Sequence, residues 1–143
     1  YLTVGEATVD DVAVTVPAAF YLEVDDRLLP TKISPVDGTV YDLRRGPVLG
    51  SASLDTAMTE VSRDADGRWR TKLVLGERYA EVWGDETMKW VQVFTGGPNR
   101  DWSIAVEPMT CGPDAFNPGP THGDMKVLAP GETFVGQWGI SGG

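Results

Sequence analysis

Three residues stand out as able to carry chemistry or hold a ligand: the carboxylates Glu107 and Asp55 and the amide Gln92. Glu107 closes an apolar alternating run inside AVEPMTCGPDAFN, residues 105–117. Alternation puts Trp102, Ile104 and Val106 on one face, and Ser103, Ala105 and Glu107 on the other. The carboxylate therefore rises from a row of small neighbours that a ligand can approach, with Pro108 closing the strand behind it. An ionised carboxylate in such a position is a candidate general base. The competing reading is a solvated edge-strand Glu.

Asp55 follows in SASLDTA. An Asp among small residues commonly caps a turn through its own backbone, and the sequence leaves that reading ahead. As a binding residue it would accept hydrogen bonds from ligand hydroxyls, because an ionised carboxylate offers only acceptors. Gln92 shares a strand face with Trp90 and Phe94. An amide in an aromatic row must find partners if buried, so it either ties strands together or lines a pocket with those rings. His122 and Cys111 are the single His and the single Cys. They supply no metal-site spacing, and His122 in GPTHGD is expected on an exposed loop. Neither a phosphate-cradling Gly loop nor a nucleophile elbow occurs, and no cofactor or metal is expected.

Short strands must position these groups. Val12, Val14 and Val16 alternate up to Pro17, and Phe20–Val24 predicts a second strand. Val36–Leu43 predicts a third, broken at Asp37-Gly38. Leu49–Val61 has small residues and no clean 3.6 period, so a loop is expected. Asp66-Gly67 is a dipeptide favoured in two-residue hairpin turns, with Trp69, Leu73 and Leu75 in period two beyond it. Arg78–Trp83, Met88–Phe94, Trp102–Glu107 and, after Pro130-Gly131, Phe134–Ile140 complete the series. Regular strands without intervening helices predict an all-β, antiparallel sheet protein, a sandwich or a barrel-like relative.

The chain has 143 residues, 17 Gly and 10 Pro, consistent with one domain or part of one. A net charge of −9 without a Lys/Arg cluster argues against nucleic acid or an anionic membrane as partner. No apolar run reaches the roughly 20 residues of a membrane-spanning helix. The lone cysteine makes a reducing, cytoplasmic setting the default. Five Trp, four Tyr and four Phe suit a core, and equally the stacking surfaces that sugars use. The start at Tyr1, directly in YLTVG, is that expected of the middle of a longer protein.

The segments AVEPMTCGPDAFN and LAPGETFVGQWGI closely resemble the C-terminal end of the aldose 1-epimerases (galactose mutarotases), in particular the bacterial branch. YLTVG, LLPTKISPVDGTVYDLR, LGSASLD and VWGDETMKWVQVFTG match in order, so the resemblance spans essentially the whole chain. It implies a large antiparallel β-sandwich of which residues 1–143 form roughly the second half, the N-terminal half being a partner in cis or as a separate chain. It also implies interconversion of the α and β anomers of a free hexose, with Glu107 as general base and Asp55 on sugar hydroxyls. The family's general acid, a His in a His-Pro-Tyr-type motif, would lie just upstream of Tyr1-Leu2. Trp90 and Phe94 as sugar-holding residues come from the strand pattern, not from the family. Two other functions fit the same residues: a non-catalytic carbohydrate-binding sandwich, and a glycoside hydrolase using Glu107 and Asp55, which requires defined carboxyl separations. The preferred hexose and the oligomeric state are not written in these residues.

Overall fold

The computed structural model describes residues 1–6, 8–96 and 103–143. Its strands are β1 (Ala13–Thr15), β2 (Ala18–Val24), β3 (Pro30–Pro35), β4 (Asp55–Val61), β5 (Trp69–Leu75), β6 (Arg78–Gly84), β7 (Trp90–Phe94), β8 (Ala105–Met109) and β9 (Trp138–Gly142). They form two antiparallel sheets, one ordered β1-β5-β6-β9 and the other β3-β2-β4-β7-β8. This is the expected all-β, antiparallel sandwich.

Alternation explains how the sheets stack. In the four-stranded sheet Trp69, Leu73 and Val82 turn inward; in the five-stranded sheet Met58, Val91 and Val93 do so, and all are at most 1% exposed in one shared core. The indole N–H of Trp69 is satisfied inside that core by the Met88 carbonyl at 2.7 Å. The opposite face of the five-stranded sheet carries a smaller apolar cluster of Leu22, Ala57 and Trp90, with Ile33 and Met109 packed on it. That outer face positions the candidate site.

Four expectations about elements need correction, the simplest being the last strand, expected over Phe134–Ile140 and found over Trp138–Gly142. The strand expected over Val36–Leu43 is instead a run of turns following β3. Thr39 donates its hydroxyl to the Val36 carbonyl, and Arg44 bridges Asp37 and Asp42, so local polar bonds outcompete extension. The loop expected over Leu49–Val61 contains β4, which lies at the centre of its sheet. Thr56, Ala57, Met58 and Thr59 are all buried, because both faces of this strand are covered, and a strand buried on both sides loses its period-two signature. The Asp66-Gly67 turn forms, with Gly67 at φ +80° and its N–H on the Asp64 carbonyl, yet it joins β4 to β5 across the two sheets rather than making a hairpin. The two-residue hairpin is Gly76-Glu77, between the paired Leu75 and Arg78.

Candidate functional site

β4, β7 and β8 lie side by side, and their register sets the site. Gln92 pairs with Ala57 on one side and with Glu107 on the other; Phe94 pairs with Asp55 and with Ala105. Directly paired residues point to the same face. Hence Asp55, Gln92, Phe94 and Glu107 share the outer face, while Ile104 and Val106 turn to the core. Trp102, assigned from the sequence to that core-facing row, lies outside the described residues. The four outer-face side chains line an open cavity of about 520 Å³ together with Leu22, Val24 and Pro113. Its size falls within the range of small-molecule sites.

Each polar group there has a distinct condition. Gln92 donates from Nε2 to Asp55 Oδ1 at 2.6 Å, which fixes the carboxylate and leaves the Gln92 carbonyl oxygen as a further acceptor. Glu107 is exposed to the cavity, and among the described residues its carboxylate has neither ion pair nor hydrogen bond. Ala57, opposite Gln92, is small enough to leave the floor open. Pro108, expected to close the strand, sits within β8 opposite Val91. β8 is an edge strand, where a missing N–H is tolerated.

Trp90 holds a different position from that of a stacking ring. Alternation places it on the outer face, opposite Thr59 and Met109, but Gly112 and Asp124 close on it and it is 0% exposed. Its indole N–H donates to Asp124 Oδ2 at 2.7 Å, and Asp124 also pairs with Lys89 at 3.2 Å. A Cβ at Gly112 would stand 3.1 Å from Trp90 Cε2 and 2.6 Å from Thr121 Cγ2, so glycine allows the covering loop to approach this closely. Trp90 thus lies beside the site on the same sheet face, enclosed by the loop, whereas Phe94 lines the site directly.

Asp124 was not singled out from the sequence, where it is one acid in a Gly/Pro loop, and no periodic signal marks it. Leu22, Ala57 and Pro113 were missed for the same reason: they converge from separate segments. His122 sits on the expected exposed loop, outside the cavity lining, with Nδ1 2.9 Å from the Ala115 carbonyl. Cys111 is half-buried. Among the described residues no group of three or more His, Cys, Asp or Glu side chains is placed to hold a metal. No helix of the described residues is long and apolar enough to cross a membrane.

An antiparallel sandwich with an acidic cavity on its outer sheet face describes a class of protein, and comparison with known proteins narrows it. The family model for aldose 1-epimerase matches residues 1–141. The chain belongs to the aldose 1-epimerase family. It is 46% identical to galactose mutarotase of Mus musculus over 151 residues, covering 91% of this chain and 43% of the relative. The human galactose mutarotase is likewise 46% identical over 153 residues, covering 91% and 44%. Uncharacterized protein YihR of Escherichia coli K12 is 28% identical over 132 residues, covering 92% and 41%. A crystal structure of a GalM/aldose epimerase homologue from C. elegans superposes with a TM-score of 0.59 at 16% identity, over 73% of this chain and 38% of that one, a likeness of fold. The chain thus spans about two fifths of the length of these curated relatives.

Proposed function

We propose that this chain carries the base side of an aldose 1-epimerase site that interconverts the α and β anomers of a free hexose. The observation that carries the reading is the Glu107 carboxylate, unpaired among the described residues and facing a sugar-sized cavity beside the Asp55–Gln92 pair. Opening a pyranose ring requires removing the proton of the anomeric hydroxyl while delivering one to the ring oxygen. Glu107 takes the O1 proton. The open aldehyde turns about C1–C2, and closure on the other face returns the proton and inverts the anomer. Asp55, held by Gln92, accepts hydrogen bonds from ring hydroxyls, and Phe94 offers an apolar face to the ring.

The second proton transfer needs a partner of opposite protonation state, since one carboxylate cannot serve both oxygens at once. The cavity lining described here contains no His, Lys or Arg. We assign the donor to a further part of the protein, in keeping with the expectation of a His of the His-Pro-Tyr type upstream of residue 1. On this reading residues 1–143 are the C-terminal part of one sandwich domain completed by an N-terminal half. A cytoplasmic setting accords with the lone cysteine.

Polarimetry on freshly dissolved α-glucose and α-galactose tests the reading on the protein carrying this chain. Acceleration by the wild type should fall about 10²–10⁴-fold in Glu107→Gln, whose amide has no proton-accepting carboxylate to offer. Sugar binding without acceleration in the wild type would instead mark a carbohydrate-binding sandwich. Release of reducing ends from a glycoside would mark a hydrolase.

A further inference from the structure

Asp124 has no part in the reaction described above, yet a short chain of hydrogen bonds ties it to the wall of the Glu107 cavity. It ends a single 3₁₀ turn, His122–Asp124, that Thr121 precedes. The Asp124 N–H donates to the Thr121 carbonyl at 3.2 Å. Thr121 is 1% exposed, and its hydroxyl donates to the Pro113 carbonyl at 2.7 Å. Pro113 lines the cavity that Glu107 faces. Other bonds close the same segment on itself: His122 Nδ1 meets the Ala115 carbonyl at 2.9 Å, and Asn117 Nδ2 donates to Asp114 Oδ1 at 2.6 Å. Residues 112–124 thus form one internally bonded unit. Where that unit is fastened to the sheet decides where Pro113 stands.

The fastening is on β7. Asp124 Oδ2 accepts the Trp90 indole N–H at 2.7 Å, and Oδ1 meets Lys89 Nζ at 3.2 Å. The first contact is the stronger. Lys89 and Asp124 leave 52% and 29% of their side chains exposed, and ion pairs in contact with water contribute little. Trp90 is 0% exposed, so without Asp124 its N–H would be buried and unpaired, which is strongly unfavourable. The close approach of Gly112 to the ring sets a distance but no direction. The indole bond, which weakens steeply when misaligned, sets the direction.

We propose that Asp124 is a positioning residue for the Glu107 site: by holding the Trp90 indole it fixes residues 112–124, and through Thr121 it keeps Pro113 at the cavity wall. The inference rests on the anomer-interconverting reading of Glu107 for its kinetic readout, whereas proton exchange tests the latch separately. Mutarotation of glucose and galactose is measured well below the melting temperature, on the protein carrying this chain, in wild type, Asp124→Ala, Asp124→Asn and Lys89→Met. Asp124→Ala should raise KM about tenfold with kcat within about twofold, the pattern of lost binding rather than lost chemistry. Asp124→Asn keeps a carbonyl oxygen for the indole and should stay within about threefold of wild type. Lys89→Met should stay within about twofold. By NMR, Asp124→Ala should speed exchange of the Trp90 indole proton, assigned through Trp90→Phe, and of the Asn117 and His122 amides about tenfold or more, leaving β4 and β7 unchanged. An unchanged KM in Asp124→Ala, a loss confined to kcat, or equal losses in the Ala and Asn variants would overturn the positioning role. If the wild type mutarotates neither sugar, the Glu107 reading fails and exchange decides the latch alone. Faster exchange confined to the indole and residues 112–124 then supports it; unchanged exchange, or exchange raised along the whole chain, overturns it.

Discussion

The Asp55–Gln92 contact is where the chemistry of single residues is most open to test. A carboxylate on an open sheet face samples many orientations; the 2.6 Å bond from Gln92 holds it in one, without adding a third negative charge beside Glu107. Hydrogen bonds to charged groups contribute roughly 1.5–3 kcal/mol, less where water competes, and Asp55 is exposed. Gln92→Leu should therefore raise KM for a hexose about five- to thirtyfold, a loss of about 1–2 kcal/mol, while kcat changes little, because Glu107 itself is untouched. Asp55→Ala should do the same. The double variant should cost less than the sum of the singles, since both remove one shared interaction. Strictly additive losses in that cycle would show that the pair does not act as a unit.

At the scale of elements, the loop over Trp90 and the turn after β6 carry the local design. Gly112→Ala would push a methyl to within 2.6 Å of Thr121, a residue only 1% exposed. Overpacking of this kind costs about 1–3 kcal/mol, so a lowered melting temperature is expected together with weaker sugar binding, as Pro113 of the same loop walls the cavity. An unchanged melt would mean that the loop gives way freely. The turn after β6 is pinned through Asp85, which accepts the Thr87 N–H at 2.9 Å and the Gln137 N–H at 2.7 Å, tying the residues before β9 to the sheet. Burial pushes its pKa up, but the bonds from Thr87, Gln137 and Met88 outweigh this and hold it below the usual carboxylate value. A lowered folded pKa means that its stabilisation is fully present above the unfolded value, about pH 4, and is lost as pH falls through the folded one. Asp85→Asn should melt earlier at pH 7, and its deficit against wild type should shrink below about pH 4; a deficit constant with pH would overturn the assignment. Glu107 was legible in the sequence because its run alternates, with Ile104 and Val106 turned to the core and Ala105 and Glu107 on the other face. Asp55 was legible as an acid but not its strand, since β4 is covered on both faces and reads as neither period. The lid over Trp90 was not legible at all: it depends on Asp124, 34 residues away in sequence, and on a glycine whose close approach exists only once the loop is folded.

At the scale of the whole molecule, one side of the sandwich is uncovered. Ile140 pairs with Val82 and Trp138 with Gly84, so both point to the inner face of their sheet. Val82 is 1% exposed, yet Trp138 and Ile140 are 55% and 59% exposed, with Val135 nearby in sequence at 68%. β9 is also the terminal strand of its sheet among the described residues, presenting a row of main-chain groups to solvent. Fully burying a large apolar side chain is worth about 1.5–3 kcal/mol, so covering the exposed halves of these two would contribute roughly 2–3 kcal/mol. Such a face attracts another surface, and in the reading proposed here that surface is the N-terminal half of the same sandwich. Residues 1–143 expressed alone should then self-associate with rising concentration and bind a hydrophobic dye. Trp138→Ser with Ile140→Ser should reduce both, because these two residues supply the exposed inner row. In a polypeptide that includes the N-terminal half, the same double substitution should lower the melting temperature instead, as the row would be buried there. A monodisperse monomer of residues 1–143 that melts cooperatively and ignores the dye would show that the inner row needs no cover, and the division of the sandwich into two halves would have to be abandoned.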